Sequence, residues 1–208
     1  MTAEDPKLAD LRAQLKAELA LEPRATPWWV GAVVLVVVNA GLGAAAMAMM
    51  ASGRGHDSGS MLRFGTTVLL GLVVVGGALF GVRPGSRTAR LAMLGISALA
   101  VTLAVVAGSG VPVDGPFWAG TSCATTECLV SVVPMLTGLL LLSRFAFDPL
   151  RTIVVGMSAA AVGVLTLHLH CPNGSWSHLA MFHALPWACL IAALLLVRRV
   201  VPSKTFAP

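Results

Sequence analysis

Residues 30–50 read VGAVVLVVVNAGLGAAAMAMM, with no charged side chain anywhere in the run. A helix needs ~20 mostly apolar residues to cross the hydrocarbon core of a bilayer. The run meets that length and is continuously apolar. It lacks the alternation, in segments of ~10 residues, that marks a strand of a membrane barrel. Five further stretches read the same way. The six predicted spans are Trp28–Ala51, Met61–Val82, Ala89–Gly108, Cys128–Phe147, Leu150–Leu169 and His178–Val197. The first begins 27 residues into the chain and exceeds the usual signal-peptide core of about 7–15 residues, so it is expected to remain as a helix.

Composition agrees. Of the 208 residues, 57% are hydrophobic and 11% charged, against about 45–50% and about 25% in a soluble domain. An ordinary soluble enzyme and a disordered chain are both excluded. The expected fold is all-α: a polytopic membrane protein with a six-helix transmembrane bundle. Residues 28–197 form the membrane domain, residues 1–27 an N-terminal segment and residues 198–208 a tail.

The net charge of +5 is explained by position. With the N-terminus inside, 12 basic residues lie on the inner side, from Lys7 and Arg12 through Arg83, Arg87 and Arg90 to Arg198, Arg199 and Lys204. Only Arg54 and Arg63 lie outside. The positive-inside rule therefore places both termini in the cytoplasm, and no direct nucleic-acid partner is implied. Gly77 with Gly81, and Gly41 with Ala45, have the small-xxx-small spacing that lets helices approach closely. Asn39, near the middle of the first span, is expected to hydrogen-bond between helices.

The N-terminal segment reads as one amphipathic helix. Asp5-Pro6 has the form of an N-cap followed by Pro at the first helical position. Leu8, Leu11, Leu15 and Leu19 recur at helical spacing, and Pro23 ends the run. A membrane-surface helix is usually rich in Lys and Arg. This one balances Lys7, Arg12 and Lys16 against Asp10 and Glu18, which favours a protein partner that takes the leucine stripe in a groove. The competing reading is a helix lying on its own bundle.

Chemistry-bearing side chains gather at the outer side. The stretch LHLHCPNGSWSHLAMFHALP holds His168, His170, Cys171, His178 and His183. Cys123 and Cys128 flank Glu127 in the loop expected before the fourth span. Imidazole and thiolate together suit zinc or copper. Pro172, Asn173 and Gly174 are turn formers, so spans five and six should form a tight hairpin. His178 and His183 stand about 140° apart on a regular helix, so they meet one metal only at a helix end or kink. The bland alternative is a set of polar residues at the membrane interface. Cys123 and Cys128 are open to a disulfide in an oxidising compartment. Cys189, deep in span six, reads as a small buried hydrophobe.

The short soluble N-terminus, six spans, outer cysteines and the His168–Pro186 stretch resemble integral-membrane anti-sigma factors of the NrsF type (negative regulator of sigma factor F). They also resemble the related carotenogenic light-response type, CarR, and the sequence does not separate the two. The resemblance covers nearly the whole chain, and its local motif about 20 residues. It implies a bacterial inner-membrane protein whose N-terminal segment holds an extracytoplasmic-function sigma factor and releases it on an outer signal. In the NrsF type that signal is metal stress acting on outer cysteines, here two of Cys123, Cys128 and Cys171. In the light-response type it is photo-oxidative, and the chain's nine methionines and its cysteines are oxidisable.

The expected function is thus a non-enzymatic membrane regulator, with Leu8, Leu11, Leu15 and Leu19 binding the partner. His168, His170, Cys171, His178, His183, Cys123 and Cys128 would sense metal or redox state. The alternative is a membrane redox protein whose histidines ligate copper or haem. A transporter has less support, because the spans lack charged midplane residues and inverted repeats.

Overall fold

In a computed structural model, residues 27–50, 61–85, 87–108 and 118–203 are described, together with Lys7, Asp10, Leu11, Arg12 and Gln14. Among them, six helices are long and apolar enough to cross a membrane, and there is no β-strand. The helices are α1 (Trp28–Met50), α2 (Met61–Val82), α3 (Arg87–Ala107), α4 (Trp118–Leu142), α5 (Pro149–His170) and α6 (Trp176–Val200). The chain is an all-α, multi-pass membrane protein, as expected.

Five helices form a closed ring in the order α1, α2, α3, α6, α4, and α5 fills its centre, touching all the others. Along α5, 83% of the spanning window is buried, whereas the same figure for α1 and α6 is 22%. The sequence explains the choice of centre. Gly156, Ser158, Ala159, Ala160, Ala161 and Gly163 make α5 thin enough for five neighbours to close on it. In lipid there is little hydrophobic drive between helices, so close backbone approach and hydrogen bonds supply the packing. A Cβ at Gly77 would stand 2.8 Å from the Ser158 Cβ, and one at Gly81 2.5 Å from Val155. The Gly77/Gly81 pair therefore packs inside the bundle. Gly41 has no such neighbour within 4 Å. Asn39 does bond between helices: its Nδ2 donates to Ser158 Oγ at 3.0 Å, and that hydroxyl donates to the Val74 carbonyl.

The basic end of the bundle is laced by arginine. Arg90 pairs with Asp148 at 2.8 Å and donates to the carbonyls of Phe80 and Arg83, which capping of α2 leaves open. Asp148 is also the N-cap of α5, accepting from the Arg151 amide. Arg198, 1% exposed, donates to the Leu142 and Phe145 carbonyls past the end of α4. Arg83 and Arg151 sit over the rings of Trp28 and Phe145.

Two spans depart most from expectation, each at both ends. The fourth span starts at Trp118 instead of Cys128 and ends at Leu142 instead of Phe147. Residues 121–126 look like loop because they are polar. Their hydroxyls bond inside the helix, Thr125 to the Thr121 carbonyl and Thr126 to the Ser122 carbonyl, which removes the objection to burying them in a helix. The sixth helix extends at both ends, from Trp176 to Val200. The expected helix over residues 1–27 lies largely outside the described residues. Of its leucine stripe, Leu8, Leu15 and Leu19 fall outside them. Leu11 is helical and exposed, near Gln14, which bonds Asp10 one turn back.

Candidate metal centre

The end of the bundle opposite the arginines is built by three local devices. The first is the α5–α6 turn. Cys171 caps α5, its amide bonded to the Leu167 carbonyl at 2.7 Å. The Asn173 side chain accepts from the Ser175 amide at 3.0 Å, closing the turn with Pro172 and Gly174. This folds α6 back alongside α5.

The second device is a π-helical turn over Ala180–Ala184 inside α6, in which the Leu185 amide reaches the Ala180 carbonyl five residues back. Pro186 is its cause in the sequence. A proline offers no N–H and its ring crowds the carbonyl four residues earlier, so the ladder is relieved by one wider turn. That turn supplies the kink the histidine spacing demanded. It brings the His178 and His183 rings to 5.5 Å between centroids, with the Phe182 ring tilted against His178 at 5.1 Å.

The third device is glycine at two close approaches. A Cβ at Gly120 would run into the Phe182 ring, so the bare backbone lets α6 reach α4. Gly108 has φ +66°, and a Cβ there would stand 2.9 Å from the Gly174 carbonyl. Both approaches clamp the α5–α6 turn between α3 and α4.

Four donor atoms converge as a result. Cys123 of α4, Cys171 at the end of α5, and His178 and His183 of α6 place one ligand atom each within 4.8 Å of the others. The Cys123 and Cys171 sulfurs are 3.9 Å apart, and Cys171 Sγ is 3.4 Å from His178 Nε2. The two sulfurs are not bonded to each other. An S–S bond would be about 2.05 Å. A tetrahedral zinc with bonds of about 2.3 Å to sulfur and about 2.0–2.1 Å to nitrogen has S···S edges near 3.8 Å and S···N edges near 3.6 Å. The Cys123–Cys171 and Cys171–His178 separations lie close to those edges, within a set of four atoms that spans up to 4.8 Å. Three of its corners come from three different helices and the fourth from across the π-turn. The hydrogen bond to Cys123 and burial push the Cys171 thiol above its ordinary range, so a metal would displace its proton.

The remaining sequence candidates do not join this set. His170 turns back to the Thr166 carbonyl of its own helix, 2.8 Å away. His168 is buried on α5 beside the cluster. Cys128 lies five residues past Cys123 on α4, and Cys123 faces Cys171, so a Cys123–Cys128 bridge has no geometry here. Cys189 is exposed on the outside of the bundle. It is not a core residue, because in a membrane helix the lipid-facing side is as apolar as the packed one. Sequence reasoning passed over Glu127. It lies one turn beyond Cys123, is fully buried, and packs its stem where Gly163 carries no side chain. The i, i+4 spacing from Cys123 was the available signal. Arg63, which donates to the His168 and Leu169 carbonyls at the end of α5, was also read only as an orientation charge.

No family model matches the chain, and no solved structure matches it. In sequence, the chain is similar to the carotenogenesis protein CarR of Myxococcus xanthus, with 29% identity over 199 residues, covering 94% of this chain and 88% of that protein.

Proposed function

We propose that this chain is a membrane anti-sigma factor that holds an extracytoplasmic-function sigma factor through residues 1–27 and releases it when the Cys/His end of the bundle binds a metal. Similarity to CarR along nearly the full chain supports the regulatory class. The observation that carries the sensing half is the convergence of Cys123, Cys171, His178 and His183 within 4.8 Å. Zinc or copper is the ion the donor set suits. Residues 1–27 and the arginine end then lie in the cytoplasm of a bacterial inner membrane, and the cluster lies outside.

The coupling follows from where the ligands sit. Three helices supply them, and α5, which carries Cys171 at one end, carries the Asp148–Arg90 pair at the other. Drawing four donors onto one ion favours one packing of α4, α5 and α6 over another, and a signal crosses only if the partner prefers one of the two packings. A photo-oxidative signal acts on the same atoms. Loss of two protons and two electrons from Cys123 and Cys171 to a peroxide would form their disulfide and draw the sulfurs together by about 2 Å.

Co-purification tests the proposal. Native membranes holding the full chain should retain a sigma factor, and Leu11→Asp with Leu15→Asp should lose it while the chain still inserts. Retention by that double variant sinks the docking role of the leucine stripe. Retention by wild type at every metal and peroxide level sinks the sensing role. Haem would favour the competing redox reading, and an absorbance spectrum of the purified chain decides it.

A further inference from the structure

A small cavity lies beside the cluster, between α3, α5 and α6. Val101, Ala104, Val105, Val164, Leu179 and Ala184 give it apolar walls, and His168 and His183 also line it. Its volume is about 10 Å3, room for one water molecule at most. His168 is 2% exposed and His183 4%. The Nε2 atom of each is buried with no hydrogen-bond partner among the described residues. Two orphaned ring nitrogens on one water-sized cavity share the same unmet need. Buried polar atoms are nearly always paired, with ordered water where the protein supplies nothing.

We propose that this cavity holds one water molecule bridging His168 Nε2 to His183 Nε2, which makes His168 a positioning residue for the metal ligand His183. The proposal rests on the Cys/His cluster being a metal site. An imidazole that presents one nitrogen to a metal has its other nitrogen held by an outer partner, which fixes ring and tautomer. The water occupies Nε2 of His183 and leaves Nδ1 for the cluster. His168 itself is held from the far side, because Arg63 donates to its backbone carbonyl and to that of Leu169. His170, two residues on, is spent on the Thr166 carbonyl and has no part in this.

Cobalt(II) binding to the full chain in detergent reads the arrangement directly. Wild type should show thiolate-to-cobalt charge transfer and tetrahedral ligand-field bands. His168→Phe should bind cobalt about tenfold to a hundredfold more weakly, with its ligand-field bands shifted and the thiolate band kept. His168→Gln, which restores a polar atom to the cavity, should recover affinity, and His170→Phe should match wild type. Ala104→Leu fills the cavity from α3 with both histidines left unsubstituted and should weaken binding as His168→Phe does. It decides the matter if His168→Phe does not fold. Wild-type affinity in both His168→Phe and Ala104→Leu overturns the bridging water alone. No cobalt binding by wild type overturns the metal site, and this inference with it.

Discussion

The two ends of the bundle hold their polar groups in opposite ways. At the basic end Arg90 is bonded to the Asp148 carboxylate and two carbonyls, and Arg198 to carbonyls at the close of α4 and to the Val201 carbonyl at the close of its own helix. Those arginines complete helix termini that would otherwise expose bare carbonyls in lipid. At the Cys/His end the polar atoms point at one another. Two thiols and two imidazoles meet there, and two ring nitrogens and both Glu127 carboxylate oxygens are buried with no hydrogen-bond partner among the described residues. A bonded end is structure. An end whose donors converge on one point is a candidate site. A net charge alone does not tell the two apart, since the Cys/His end also holds Arg63, half-buried and bonded to a carbonyl, and Glu127, fully buried.

Substitutions can break that contrast. Cys171→Ser removes the ligand that caps α5, and cobalt or zinc affinity should fall a hundredfold or more in a competition titration, with the helix content unchanged. At the other end, Arg198→Ala strands the Leu142 and Phe145 carbonyls. It should cost about 2–3 kcal/mol in detergent-titration unfolding and leave metal affinity intact. Gly120→Ala forces the Phe182 ring off α4 and should weaken metal binding about tenfold, with partial recovery in the double variant Gly120→Ala, Phe182→Leu. The smallest effect is expected from Cys128→Ser and Cys189→Ser, which sit outside the cluster and should leave metal binding at the wild-type value. If Cys128→Ser matched Cys171→Ser in its loss, the four-residue site would be the wrong set.

Much of this was legible in the sequence, for physical reasons. Crossing a bilayer demands long apolar runs, so the six spans are written in composition. The start of α4 was not, because serine and threonine hide in a helix by bonding to the turn before them. The convergence of His178 and His183 was half legible. Their spacing ruled out one regular helix face, and Pro186 was the mark of the π-turn that resolves it. The choice of Cys123 over Cys128 was illegible, since it depends on how α4 is rotated against α5. Cys189 misled because burial and lipid contact look alike in an apolar helix. His170 and His168 differ only in which way α5 turns them.

In the proposed mechanism, the Cys/His end controls what the N-terminal segment holds. The direct measurement is the amount of sigma factor retained on native membranes as zinc or copper is raised, compared between wild type and Cys171→Ser. The account predicts release from wild type over the range in which the purified chain takes up one metal ion, and no release from Cys171→Ser. Equal release from both, or metal uptake by wild type with the sigma factor still fully bound, would contradict it.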